Sequence, residues 1–280
     1  MLRIAAIEFL NAAPLMAGLE RDPRFTLRHT LPSACADALR DGSADLGVIP
    51  AIELARASEA EGGLLGLGGI GVASRDGAGA EAEVRSILLI SPRPPSEART
   101  LALDRASRTS AALAQILLRR RFGAECTTVA GDADWRKGLE RADAVLLIGD
   151  PALRLRVRGG AEGLHVYDLA RVWREWTGLP FVFALWGVRQ AALAPHQAWL
   201  PQRLQQALRE GWQNRRELAQ QWAPRLDLPE AEVLRYLEEN VAYHLTPAHM
   251  AGLRRFLALA AEEGLVGSPE LPPLIEAVTA

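Results

Sequence analysis

Apolar and polar positions along this chain change period repeatedly, and each change marks an element. The opening run "LRIAAI" (2–7) is almost wholly apolar, as expected of a strand covered on both faces. "FLNAAPL" (9–15) follows, and Pro14, with its fixed φ, sets the first turn of a helix expected to reach Glu20. "FTLRHTL" (25–31) alternates with period two and predicts a second strand. "PSACADALRDG" (32–42) predicts a helix that Ser33 can cap, with Ala36 and Leu39 inward and Gly42 as the stop. "ADLGVIP" (44–50) predicts a third strand and "AIELARA" (51–57) a short helix. This β-α-β-α-β order argues a mostly parallel sheet.

The small polar stretch "SRDGAGAEAE" (74–83) predicts a turn or surface loop, and "VRSILLIS" (84–91) a buried strand. Proline-rich "PRPPSEA" (92–98) reads as a connector between domains. The same grammar then repeats. "TLALD" (100–104), "AECTTVA" (124–130), "AVLLIGD" (144–150) and "FVFALWGV" (181–188) predict strands. "RASRTSAALAQILLRRRFG" (105–123) predicts a loop and a helix stopped by Gly123, and "DWRKGLERA" (134–142) another helix. From residue 199 the chain turns helical, with helices expected over 199–222, 229–245 and 247–265. Two α/β blocks followed by helices make two lobes, and a cleft between lobes is a favoured ligand site.

Composition narrows the classes. At 280 residues, with 49% hydrophobic and 24% charged residues, the chain is an ordinary globular protein of one large or two medium domains. A net charge of −2 excludes the basic footprint of a nucleic-acid binder. Cys35 and Cys126 match no metal or disulfide spacing and are expected as buried small apolar residues. No metal site is expected from the five histidines, because no Glu or Cys completes a zinc pattern around His244 and His249. Glu8 and Asn11 interrupt the first apolar stretch, so it does not read as a signal peptide. No stretch reaches the roughly 18 apolar residues of a membrane span. The expected location is cytoplasmic.

Candidate chemistry concentrates at strand ends. Asn11 lies between the first strand and the first helix, where open α/β sheets bind ligands, though it can equally serve as a helix cap. In "ASRTSAAL" (106–113), Ser107, Thr109 and Ser110 gather at a helix start with Arg108. Free backbone N–H groups, the helix dipole, three hydroxyls and a cation suit a carboxylate or phosphate. Asp150 at a strand end can accept a ligand hydroxyl or cap the next helix. Ser86 lies inside an apolar strand, either satisfied by backbone or aimed into a site. Glu53 is expected to face solvent. Trp173, Trp176 and Trp186 read as core, while the tight loop "TGLPF" (177–181) has backbone able to line a pocket.

Taken in order, "FLNAAPL", "LPSACADALRDGSADLGVIPAIEL", "VRSILLIS", "LDRASRTSAALAQILL", "LLIGDPAL", "DLARVWREWTGLPFVFALW" and "YLEENVAYHLTPAHMAGLRRFLALAAEEGLV" closely resemble the chorismate dehydratase family of the futalosine route to menaquinone. The resemblance covers nearly the whole chain, and "SRTS" and "WTGLPFVFA" are its specific parts. It departs at Phe9, where the family usually has Tyr, and in a longer 74–83 loop. The resemblance implies an α/β, two-lobed periplasmic-binding-protein-like type II fold with a ligand cleft between lobes. Residues 1–91 and 186–280 would form lobe one, and residues 92–185 lobe two. It implies chorismate as the small-molecule substrate, with no nucleic acid or membrane partner and no cofactor. Water would be eliminated from the ring, the substrate's own side-chain carboxylate taking the proton. Asn11 and Ser86 would be the catalytic polar residues. Ser33, Ser107, Arg108, Thr109, Ser110, Asp150 and Gly178 would bind substrate. Open alternatives are a small-carboxylate binding or sensor protein and the related dihydroxynaphthoate synthase of the same route.

Overall fold

The structure is a computed structural model that describes residues 1–58, 63–104, 106–131 and 134–275. The chain begins with β1 (Leu2–Ile7), a single 3-10 turn (Leu10–Ala12) and the short helix α1 (Ala13–Met16). Then come β2 (Phe25–Thr30), α2 (Pro32–Arg40), β3 (Leu46–Pro50), α3 (Ala51–Ser58) and β4 (Leu64–Ser74). β1 pairs in parallel with β2 and with β3, as the alternating order requires. Its apolar run is buried except for Arg3, whose guanidinium pairs with Asp45 at 2.7 Å.

After Ser74 the chain crosses through a 3-10 turn (Gly79–Ala82) into a second sheet. There it forms β5 (Ile87–Ser91), β6 (Thr100–Leu103), α4 (Arg108–Ile116), β7 (Thr127–Ala130), α5 (Trp135–Leu139), β8 (Ala144–Ile148), α6 (Gly149–Arg158), β9 (His165–Asp168) and α7 (Leu169–Thr177). It returns to the first sheet as β10 (Val182–Arg189). The remainder is α8 (Gln190–Leu193), α9 (Leu200–Gln213), α10 (Arg215–Leu226), α11 (Glu230–Arg235), a π turn (Tyr236–Asn240), β11 (Val241–His244), α12 (Pro247–Glu262) and β12 (Leu274–Ile275).

Strand order is β11-β4-β10-β3-β1-β2 in the first sheet, with β12 beside β4, and β7-β6-β8-β5-β9 in the second. The two crossing segments meet at Ser74 and Phe181. The Ser74 N–H donates to Phe181 O at 2.8 Å, and the Phe181 N–H donates to Ser74 Oγ at 2.9 Å.

The strand pairing moves the expected lobe boundaries. β5 pairs antiparallel with β8 and β9, so residues 87–91 belong to lobe two rather than lobe one. β10 pairs with β3 and β4, so the chain is back in lobe one by Val182, before residue 186. "PRPPSEA" joins β5 to β6 within lobe two and is no interdomain connector.

Other differences have local causes. β4 carries no clear strand signal in the sequence, because four glycines (Gly66, Gly68, Gly69, Gly71) dilute its apolar pattern. The helix expected over 229–245 stops at Asn240, because "VAYH" pairs antiparallel with β4 and satisfies that strand's open edge. Residue 214 divides the helix expected over 199–222 into α9 and α10. The first helix ends at Met16, and residues 17–21 form turns. Leu31, not Ser33, takes the N-cap position of α2 and makes no side-chain bond there. Cys35 is fully buried, which pushes its thiol up to about 12, whereas Cys126 is only partly buried. Arg105 of the expected loop and residues 276–280 of the expected lobe one lie outside the described residues.

α9 seats α1, the helix that follows Asn11. Gly211 lies so close that a Cβ there would collide with the Pro14 carbonyl oxygen. One apolar cluster runs from β1 and α1 through to β8 and α7, so the lobes share a core.

Candidate active site

The strand ends of both lobes converge on a small cavity of about 30 Å³. Lobe one contributes Ile7, Phe9, Asn11 and Phe183, and lobe two contributes Ile87, Ser107, Ser110 and Gly149. A water needs roughly 10–15 Å³ of such space, whereas ligand pockets occupy about 300–1,000 Å³. The lobes are therefore shut in this conformation and must part to admit a metabolite. A larger groove of about 1080 Å³, between residues 75–81, α9 and β11, contains none of the expected site residues.

Asn11 sits in the middle of the 3-10 turn after β1. It caps nothing: the cap positions of that turn and of α1 fall on Phe9 and Ala12, neither with a side-chain bond. Its Oδ1 is buried and has no hydrogen-bond partner among the described residues. A buried amide oxygen without a donor is costly unless something else supplies one.

Opposite it lies the start of α4. Ser107 caps this helix, accepting the Ser110 N–H at 3.3 Å, and the two hydroxyls lie 3.0 Å apart. Both serines line the cavity. The other two residues of "SRTS" clasp the lobes instead. Thr109 is fully buried, and its Oγ1 accepts the Ile52 N–H at the start of α3, at 3.2 Å. Arg108 donates to Asp37 Oδ2 at 2.8 Å and to Glu53 Oε2 at 3.1 Å. Arg108, expected in an anion site, is here held by lobe-one carboxylates. Glu53, expected in solvent, is 2% exposed and also receives Arg40 and Arg56.

Asp150 opens α6 and reaches back across the cleft. Its Oδ1 accepts the Leu10 N–H at 3.1 Å, and burial pushes its carboxyl up to about 6. Next to it, Gly149 has φ 67°, and a Cβ there would meet the Phe9 ring at 2.9 Å. The ring of Phe9 therefore packs close against bare backbone.

Ser86 is 1% exposed and precedes the wall residue Ile87. Its carbonyl accepts the Gly149 N–H at 2.8 Å, and its Oγ accepts the Tyr236 hydroxyl at 2.9 Å. Ser86 is thus beside the cavity and not on its wall. Ser33 reaches the other lobe through its backbone, its N–H donating to Ala106 O at 3.0 Å. Gly178, expected to bind substrate, is the left-handed C-cap of α7 at φ 72° and is not among the residues lining the cavity.

Residues 2–262 match the model of a family described as menaquinone biosynthesis. The chain belongs to that family. Among its relatives is the chorismate dehydratase of Thermus thermophilus, 35% identical over 176 residues. That match spans 56% of this chain and 60% of the relative's length.

Solved structures agree on the fold. The Archaeoglobus fulgidus protein AF1704 superposes with a TM-score of 0.73 at 16% identity, over 95% of this chain and 98% of that one. The alkanesulfonate-binding protein SsuA of Xanthomonas axonopodis pv. citri gives 0.69 at 18%, over 99% and 98%. The aliphatic sulphonate binding protein SsuA of Escherichia coli gives 0.66 at 18%, over 100% and 94%. The periplasmic-binding-protein-like architecture expected from the sequence is the one this family member has.

Sequence reasoning missed Tyr236, Asp37 and the backbone of Leu10. Each acts through a partner far along the chain, and no local pattern marks such a pairing.

Proposed function

We propose that this chain is a chorismate dehydratase, a hydro-lyase that removes water from chorismate to give 3-(1-carboxyvinyloxy)benzoate. The observation that carries this reading is Asn11 Oδ1, a buried acceptor without a partner among the described residues, on a cavity between two lobes. A ligand hydroxyl fills such an acceptor, and chorismate carries one at C4, the group that leaves. The membership in a menaquinone biosynthesis family and the dehydratase relative support the same reading.

In the reaction the C4–O and C3–H bonds break and a double bond forms between C3 and C4. Hydroxide and proton leave as water, and the ring becomes aromatic. Aromatisation supplies the driving force, so the protein's task is orientation and hydrogen bonding. Chorismate has two carboxylates. The start of α4, with Ser107 and Ser110 on the cavity, suits one of them through hydroxyl donors and the helix dipole. The other, on the enolpyruvyl side chain, takes the C3 proton. Asn11 fixes the departing hydroxyl. Ser86, one residue behind the cavity wall, contacts the substrate once the lobes part around it. Thr109, Arg108 and Asp150 hold the lobes together around the bound ring.

The test is to incubate the purified chain with chorismate and no added cofactor, following products by chromatography and mass. A product lighter by one water, aromatic and retaining the enolpyruvyl group is expected. Tight binding with chorismate recovered unchanged would contradict a dehydratase and make the chain a binding protein.

A further inference from the structure

Ser86 lies on the segment Glu83–Ser86, where the chain crosses from lobe one to lobe two, and side chains from elsewhere grip that segment. Asn240 Nδ2 donates to Glu83 O at 2.9 Å. Asp168 Oδ2 accepts the Arg85 N–H at 2.6 Å, while its Oδ1 holds the first N–H groups of α7. Arg85 is thereby kept at φ 60°, a conformation unfavourable for a residue with a side chain, and its guanidinium is tied to Glu232 at 3.1 Å. Tyr236, 1% exposed, donates its hydroxyl to Ser86 Oγ at 2.9 Å.

Tyr236 and Asn240 are the first and last residues of the π turn. Widened turns of this kind recur at functional sites, and here both ends reach the same four-residue segment. A serine hydroxyl has one hydrogen to give and two lone pairs to fill. With one lone pair taken by Tyr236, the Ser86 hydrogen must point elsewhere. A hydroxyl that accepts one hydrogen bond also becomes a stronger donor in the next, because chained bonds polarise one another.

We propose that Tyr236 is a positioning residue, which turns the Ser86 hydroxyl toward the substrate and strengthens it as a hydrogen-bond donor. This rests on the reading that Ser86 contacts chorismate. Burial raises the phenol above its ordinary range, so Tyr236 stays a donor throughout the working pH range.

The experiment is a double-mutant cycle on the full chain: wild type, Tyr236→Phe, Ser86→Ala and the double variant, with kcat and KM for chorismate and an unfolding curve for each. Tyr236→Phe keeps the ring and removes one hydroxyl, so it should fold and lose about tenfold in kcat with KM little changed. The double variant should be no slower than Ser86→Ala alone. Tyr243→Phe, which removes another buried hydroxyl, one without a partner among the described residues, should leave kcat unchanged. Wild-type kcat in Tyr236→Phe overturns the proposal, as does a double variant slowed by the product of the two single losses. A wild type without turnover sinks the dehydratase reading. Chorismate affinity by calorimetry then carries the same cycle, and additive losses or no binding at all overturn the positioning role.

Discussion

The Leu10 N–H donates to Asp150 Oδ1 at 3.1 Å, joining the turn that carries Asn11 to the first turn of α6 across 140 residues of sequence. The bond sets the lobes' relative position beside the cavity, and it sets a pH dependence. Burial raises the Asp150 carboxyl from 3.8 to about 6, so the folded chain holds that proton more tightly than the unfolded one. The stability this provides is fully present below the unfolded value and is lost as pH rises through the folded one. Asn at this position keeps an acceptor for Leu10 and cannot ionise. Asp150→Asn should therefore match the wild type at about pH 4 and exceed it by roughly 2–3 kcal/mol at about pH 7. Asp168, also raised to about 6, is common to both proteins and cancels. Denaturant unfolding at both pH values checks this, and an equal difference at each would contradict it.

Thr109 provides a second link between lobes, and its loss should be structural rather than chemical. Thr109→Val keeps the shape and strands the Ile52 N–H, now bonded at 3.2 Å, without an acceptor. The expected cost is about 1–3 kcal/mol in chemical denaturation. Small-angle scattering should show a larger mean radius as the lobes spend longer apart. Unchanged stability would mean that the bond does not hold the cleft shut.

The "SRTS" motif shows how far the sequence could be read. Hydroxyls ahead of an apolar helical run mark a helix start, and Ser107 is the cap there. That inference is local, and it succeeded. The roles of Thr109 and Arg108 depend on partners 57, 55 and 71 residues away in the other lobe, and no local rule contains them. The same limit hid β11. "VAYH" continues a helical pattern, and only the unpaired edge of β4 makes it a strand. Parallel pairing of β1, β2 and β3 was legible from the alternating β-α-β-α-β order, and the buried β1 and β3 write their burial into near-continuous apolar runs. Asn11 could be singled out by position, but its lack of a partner among the described residues is a fact of packing.

Gly149 tests the contact between the lobes at the site itself. At φ 67° it holds a conformation glycine takes freely, and a methyl group would meet the Phe9 ring at 2.9 Å. Gly149→Ala should therefore destabilise the shut form by about 1–2 kcal/mol through strain alone. Its signature should be weaker chorismate binding, by roughly tenfold, measured by calorimetry. Wild-type affinity in this variant would show that the Phe9 contact is dispensable to closure.

The most direct test of the central claim is kcat of Asn11→Ala at saturating chorismate, measured beside its unfolding curve. Asn11 Oδ1 makes no bond within the described protein, so its removal should leave stability at or above that of the wild type. Turnover should fall by about 100-fold or more, because the group that orients the departing hydroxyl is gone. Wild-type turnover in a folded Asn11→Ala chain would contradict the account, since the cavity between the lobes would then not be where water leaves the ring.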